Sequence, residues 1–145
     1  MSALRALTIE SLTVKPDRVV CEFSIAAGFP RKTSPALSKH LATRFPNLPH
    51  HSCVNPKGTT FASVMDSTPL PHLLEHLVID LQAQTSTNAT TTFVGTSEWT
   101  DEAAGKARVE VSFADDLSVL RAFRDATHIL DAALVECEDY SVTER

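Results

Sequence analysis

The segment PLPHLLEHLVIDLQ (residues 69–82) places aliphatic side chains at the spacing of an α-helix. These side chains form one wide apolar stripe, made of Leu70, Leu73, Leu74, Leu77, Val78 and Leu81. The preceding Ser67 or Thr68, together with two prolines, suits the first turn of a helix. The pattern therefore predicts a helix from about residue 70 to 84.

On the N-terminal side, LTIESLTV (7–14) and RVVCEFSI (18–25) are rich in β-forming residues, and the link KPDR favours a hairpin turn. One face of the second strand is predicted to carry Val19, Cys21, Phe23 and Ile25. Ser34 with the following proline predicts a helix that reaches Phe45. Residues 46–61 are interrupted by proline, asparagine and glycine, and predict a loop.

On the C-terminal side, TTFVGTSEW (91–99) and KARVEVSF (106–113) predict two more strands. A last helix is expected to start at Asp115 or Asp116, because acidic residues suit a helix N-terminus. The order is then β-β-α-α-β-β-α. It predicts an α+β fold in one domain over 1–145, with about four antiparallel strands and helices packed largely on one face.

Composition narrows the classes of function. A chain of 145 residues with 43% apolar and 21% charged residues is typical of one globular domain. The start of the chain lacks the apolar core of a secretion signal, and no segment is long enough for a membrane span. A formal charge of −5 without a Lys/Arg cluster argues against nucleic acid as a partner. We therefore expect a cytoplasmic protein with no nucleic-acid or membrane partner.

The predicted central helix carries His72, Glu75 and His76, and the positions i, i+3 and i+4 share one helix face. The order His-x-x-Glu-His is the inverted zincin motif, in which two histidines bind zinc and the glutamate acts as the general base. The alternative is a core helix whose histidines are only hydrogen-bonded to their neighbours. The pattern favours a cleft, because a solvent-facing stripe more often carries lysines and glutamates.

Catalytic zinc usually has three protein ligands, so a third donor is expected. Cys53 is the preferred candidate, because a thiolate binds zinc strongly and its loop comes just before the helix; His51 is the alternative. Cys53 could also be a small buried apolar residue. The odd number and wide spacing of the three cysteines indicate reduced thiols. The remaining cysteines and helical histidines are not expected in the site: Cys21, Cys137, His40 and His128.

The succession FPNLPHHSC, HLLEHLVIDLQ, TTFVGTSEW and ARVEVSF resembles the N-terminal domain of cyanophycin synthetase over residues 35–135. The resemblance implies a domain that holds a growing Asp-Arg polymer for two ATP-dependent ligase domains. In some members it implies a zinc-peptidase-like site that cuts the polymer. On this resemblance His72 and His76 are metal ligands, Glu75 is the base and Cys53 is the third ligand.

The chain departs from the family pattern at FVGTSE, which lacks the arginine of the Gly-Phe-Gly-Arg stretch. It contains no ATP-grasp or Mur-ligase-like segment, so we do not expect an ATP-dependent ligase. The motif alone also resembles that of pitrilysin-type peptidases and S-ribosylhomocysteine lyase. One hypothesis is a zinc hydrolase that cuts an amide or isopeptide bond of a peptide or Asp-Arg polymer. The other is a non-catalytic module that binds polymer or a partner; free strand edges also predict a homo-oligomer.

Overall fold

The computed structural model describes the backbone of residues 5–86 and 91–143, with side chains up to residue 137. Its helices and strands, in chain order, are β1 (Leu7–Val14), β2 (Arg18–Ile25), α1 (Pro35–Arg44), β3 (Ser52–Asn55), β4 (Gly58–Thr60), α2 (Leu70–Thr85), β5 (Gly95–Asp101), β6 (Lys106–Ser112) and α3 (Asp116–Thr143). Single 3₁₀ turns cover Leu48–His50 and Phe61–Ser63. The predicted α+β order is confirmed, with one additional hairpin.

The main sheet has four antiparallel strands in the order β1-β2-β6-β5. The β1–β2 hairpin has the predicted bounds, and its turn is closed by the Lys15 amide, which donates to the Arg18 carbonyl at 2.7 Å. Strands β1 and β5 form the two edges. The two central strands, β2 and β6, are the two in which apolar and polar residues alternate most regularly in the sequence.

The two faces of the sheet differ as the alternation predicts. Toward the helices, β2 and β6 present side chains that are at most 2% exposed: Val19, Cys21, Phe23, Ile25, Ala107, Val109 and Val111. The opposite face carries ion pairs, in which Arg108 bridges Glu22 at 3.0 Å and Glu98 at 2.8 Å. Exposed pairs of this kind add little stability. Burial of the apolar face against the helices therefore holds the layers together.

Helix α2 is the central helix, and it packs against α3, β5 and β6. Its apolar stripe is fully buried at Leu70, Leu73, Leu74, Leu77 and Val78. The helix starts where the sequence predicts, but neither Ser67 nor Thr68 caps it, since Pro69 occupies the N-cap position. The Thr68 hydroxyl lies instead 2.8 Å from His72 Nδ1, so it is used by the site rather than by the helix end.

The prediction of a simple loop over residues 46–61 is wrong, because this segment contains the β3–β4 hairpin. The Asn55 side chain holds the hairpin from within. Its Nδ2 donates to the carbonyls of Cys53 at 2.9 Å and Thr60 at 3.1 Å, and its Oδ1 accepts from the Lys57 amide at 2.9 Å. Strands of four and three residues are too short for an alternating pattern to be visible. The hairpin is what brings Cys53 toward α2.

The predicted strand over 91–99 is shifted, since β5 begins at Gly95 and continues to Asp101. Ser112 explains where the regular pairing ends. Its amide donates to the Val94 carbonyl at 2.8 Å, and its hydroxyl accepts from the Val94 amide at 2.9 Å, so a side chain replaces a strand partner there. Within the part of the chain described, no helix combines the length and the apolar character that a membrane span requires.

Candidate metal centre

The first two turns of α2 place His72, Glu75 and His76 on one side of the helix, as the spacing predicts. Glu75 is 7% exposed and His76 is 4% exposed, whereas His72 is half-buried. Polar side chains with so little exposure are not the solvent-facing stripe of a surface helix. All three line one cleft of about 620 Å³.

Cys53 joins this group from strand β3. Its Sγ lies 3.4 Å from His72 Nε2, and one donor atom each from Cys53, His72 and His76 lie within 4.8 Å of one another. A thiolate and two imidazoles at such separations could hold one metal ion. The structure thus brings together the three residues that the sequence predicts as ligands.

His51, the alternative third ligand, lies outside this group in the described part of the chain. Its Nδ1 is 3.0 Å from His76 Nδ1, and its Nε2 is 2.9 Å from Asp80 Oδ1. Both of its ring nitrogens therefore already have partners. The geometry favours Cys53 as the third donor and makes His51 a neighbour that contacts one donor.

Both donor imidazoles are held in place by surrounding residues. Thr68 Oγ1 contacts Nδ1 of His72 at 2.8 Å, which leaves Nε2 on the side of Cys53. The Phe61 ring stacks on His76 with ring centroids 4.1 Å apart and an interplanar angle of 19°. The same ring meets His72 edge-on at 5.0 Å. Phe61 is fully buried, and its ring restricts the orientation of both imidazoles.

Burial changes the protonation of the site. It lowers the pKa of His72, and it lowers the pKa of His76 to about 3, with His72 and His51 contributing in the same direction. Burial also raises the pKa of Glu75 to about 7, against a hydrogen bond from Ser97 that lowers it. At neutral pH both donor imidazoles are therefore neutral, which is the form that binds metal ions.

Sequence reasoning missed three members of this environment. Phe61 carries no motif signal, and Asp80 lies within HLLEHLVIDLQ but was given no role, because the contacts of both residues with the histidines arise only in the folded chain. Thr68 was expected at the start of the helix rather than against His72. The spacing of Asp80 and His76, four positions apart on α2, is the one signal that could have indicated a shared face.

The residues expected outside the site do not join the donor group in the described structure. Cys21 is fully buried on β2, and all three cysteines are free thiols, as predicted. His40 Nε2 lies 3.7 Å from a Glu136 carboxylate oxygen on α3, and His128 is exposed.

The family model of the cyanophycin synthase-like N-terminal domain matches residues 18–135, from β2 to α3. The chain belongs to this family. The match confirms the resemblance seen in the sequence, and it covers all residues of the donor group. No curated protein is similar enough to this cyanophycin synthase-like domain to add a relative to the comparison.

Proposed function

We propose that this cyanophycin synthase-like domain is a small zinc-dependent hydrolase that cleaves an amide or isopeptide bond. The observation that supports the proposal is the donor group of Cys53, His72 and His76 within 4.8 Å, in a cleft that Glu75 also lines. A core helix with incidental histidines would not need a cysteine from a separate hairpin beside them.

The chemistry of the donor group suits zinc. Thiolate and imidazole donors favour zinc over magnesium or calcium, which prefer oxygen. Three protein donors are typical of catalytic zinc sites, whereas structural sites commonly have four. When bound, zinc supplies Lewis-acid chemistry that polarises a carbonyl group and makes water more acidic. Reducing compartments keep cysteines as free thiols, so the proposal includes the predicted cytoplasmic location.

Glu75 has the properties of a group that accepts a proton and then returns it. With a pKa of about 7, its carboxyl can take a proton from water as the water oxygen bonds to the substrate carbonyl carbon. It can then give that proton to the nitrogen as the carbon–nitrogen bond breaks, which releases a neutral amine and a carboxylic acid. Burial and the hydrogen bond from Ser97 restrain the carboxyl in the cleft.

The substrate is proposed to be a peptide in preference to an Asp-Arg polymer. Among the described residues that line the cleft, Glu75 is the only acidic one, and none is a lysine or an arginine. The free carboxylates of such a polymer would therefore meet no cation there. Val54 and Val94, which are 93% and 64% exposed, border the same cleft and suit apolar side chains.

The test combines metal analysis with hydrolysis. We expect about one zinc per chain in protein purified without chelator, and loss of zinc in His76→Ala. Glu75→Gln should keep the zinc and lose about 10²- to 10⁴-fold in turnover of peptide and Asp-Arg substrates, because only the proton transfer is removed. His128→Ala, which changes an exposed histidine outside the group, is the matched control.

Two results would overturn the proposal. Absence of zinc in wild type, even after incubation with zinc, would make α2 a core helix in a binding module. Bound zinc with no hydrolysis of either substrate, or with equal turnover in Glu75→Gln, would leave a non-catalytic module that binds a peptide, polymer or partner.

A further inference from the structure

Asp80 is a buried carboxylate one helical turn after His76, and it is 3% exposed. Its Oδ1 lies 2.9 Å from His51 Nε2, and its Oδ2 accepts from the Gln84 amide nitrogen at 2.7 Å. A buried carboxylate without such partners would be strongly destabilised by the loss of its hydration. The hydrogen bond with His51 therefore helps to keep this carboxylate inside the protein.

His51 links this carboxylate to the donor group. Its Nε2 faces Asp80, and its Nδ1 lies 3.0 Å from His76 Nδ1. A neutral imidazole has one nitrogen that donates and one that accepts, and an ionised carboxylate can only accept. For a neutral His51 beside an ionised Asp80, the hydrogen sits on His51 Nε2, and His51 Nδ1 accepts from His76 Nδ1. This order leaves Nε2 of His76 with a free lone pair.

We propose that Asp80 and His51 are positioning residues that act in series to present His76 Nε2 to the metal. Asp80 fixes which nitrogen of His51 carries hydrogen, and His51 then fixes the orientation and tautomer of His76. The inference deepens the proposed function and rests on its metal site. It also assigns His51 a role different from that of a ligand.

The surroundings support a positioning role. His51 has a side chain that is 15% exposed, and Asp80 has one that is 4% exposed, so water competes little for their hydrogen bond. His72 is held in a parallel way, because Thr68 Oγ1 contacts its Nδ1 while Nε2 faces Cys53. Each donor imidazole thus has its Nδ1 engaged by a side chain outside the donor group, and His72 directs its Nε2 to another member of that group. Such partners commonly raise metal affinity by orienting the ring.

The decisive substitution is Asp80→Asn, which keeps size but offers an amide that can donate. A donating amide would reverse the direction of both hydrogen bonds, the one between residue 80 and His51 and the one between His51 and His76. His51 Nδ1 would then donate, and the hydrogen of His76 would move to Nε2. We expect zinc affinity, measured by competition with a chromophoric chelator, to fall about 10- to 100-fold in Asp80→Asn and in His51→Gln. Asp66→Asn, an exposed aspartate in the loop before α2, is the matched control and should leave the affinity unchanged.

Two further readouts separate this inference from a structural role and from the proposed function. If Asp80→Asn lowers only the free energy of unfolding in urea and leaves zinc affinity at the wild-type value, the inference is overturned. Nitrogen-15 nuclear magnetic resonance spectra of the imidazoles in metal-free wild type show which nitrogen of His51 and of His76 carries hydrogen. This measurement tests the inference even if no zinc binds. We expect hydrogen on His51 Nε2 and His76 Nδ1; hydrogen on His76 Nε2, or a doubly protonated His51, would contradict it.

Discussion

Gly95 lies against Glu75 so closely that a β-carbon at position 95 would be 2.8 Å from the Glu75 Cγ. It would also be 3.0 Å from the Glu110 carbonyl oxygen on the neighbouring strand. We therefore expect Gly95→Ala to displace Glu75 or β5 and to lower the free energy of unfolding by about 1–3 kcal/mol. Unfolding in urea measures this change, and turnover should fall in the same variant.

The control for Gly95→Ala is Thr96→Ala, the next residue on β5, whose side chain is exposed. Its cost should stay below about 1 kcal/mol, because only β-propensity changes. Equal stability of Gly95→Ala and wild type would show that β5 can move away from Glu75 without cost.

Phe61 is predicted to matter for zinc affinity as well as for stability, because its ring contacts both donor imidazoles. Phe61→Leu removes the stacking while keeping an apolar side chain. Phe123→Leu, at a fully buried position on α3, should destabilise the fold comparably. We expect chelator competition to show weaker zinc binding in Phe61→Leu alone; equal affinity in both variants would refute this role.

Cys53 should provide the only thiolate in the metal site. Cobalt bound in place of zinc should give the near-ultraviolet charge-transfer band of a cobalt–thiolate bond in wild type and in Cys137→Ala. In Cys53→Ala the band should disappear, since Cys21 is fully buried in the core beneath the helices. A band that persisted in Cys53→Ala would assign the sulfur ligand to another cysteine.

Cys21 makes stability depend on alkaline pH. Burial raises the pKa of its thiol from 9.0 to about 12. Because the folded pKa is the higher one, the contribution is complete below pH 9 and is lost as the pH rises through 9 toward 12. The loss should reach about 1.4 kcal/mol at pH 10.

Cys21→Val lacks this titration, so its stability relative to wild type should increase between pH 9 and 11. Unfolding in urea at several pH values checks the difference, and the native thiol should also resist iodoacetamide at pH 8. A difference that is independent of pH would show that the Cys21 thiol does not titrate in that range.

The sequence predicted the parts of the fold that have long periodic patterns. Strands β1 and β2 have the expected bounds, and α2 ends at Thr85, one residue beyond the expected 84. The candidate ligands on α2 were also predictable, because their spacing on one helix is fixed by local geometry. Burial on alternate positions and on one helical stripe leaves a signal that a single sequence retains.

Features that depend on tertiary contacts were not predictable from those patterns. The β3–β4 hairpin is held by the Asn55 side chain rather than by a long ladder of strand pairs. The choice between Cys53 and His51 needed the position of the hairpin relative to α2. The links from Phe61 and Asp80 to the histidines also appear only when distant segments pack together.

The separate β3–β4 sheet has a kinetic consequence. Two of the donor residues lie on the buried helix α2, whereas Cys53 lies on a short hairpin that pairs with no strand of the main sheet in the described structure. Local opening of such a hairpin requires less free energy than global unfolding. It would withdraw one donor while the helix keeps two. The rate of metal exchange would then follow the opening of the hairpin, while the residues around α2 determine the equilibrium affinity.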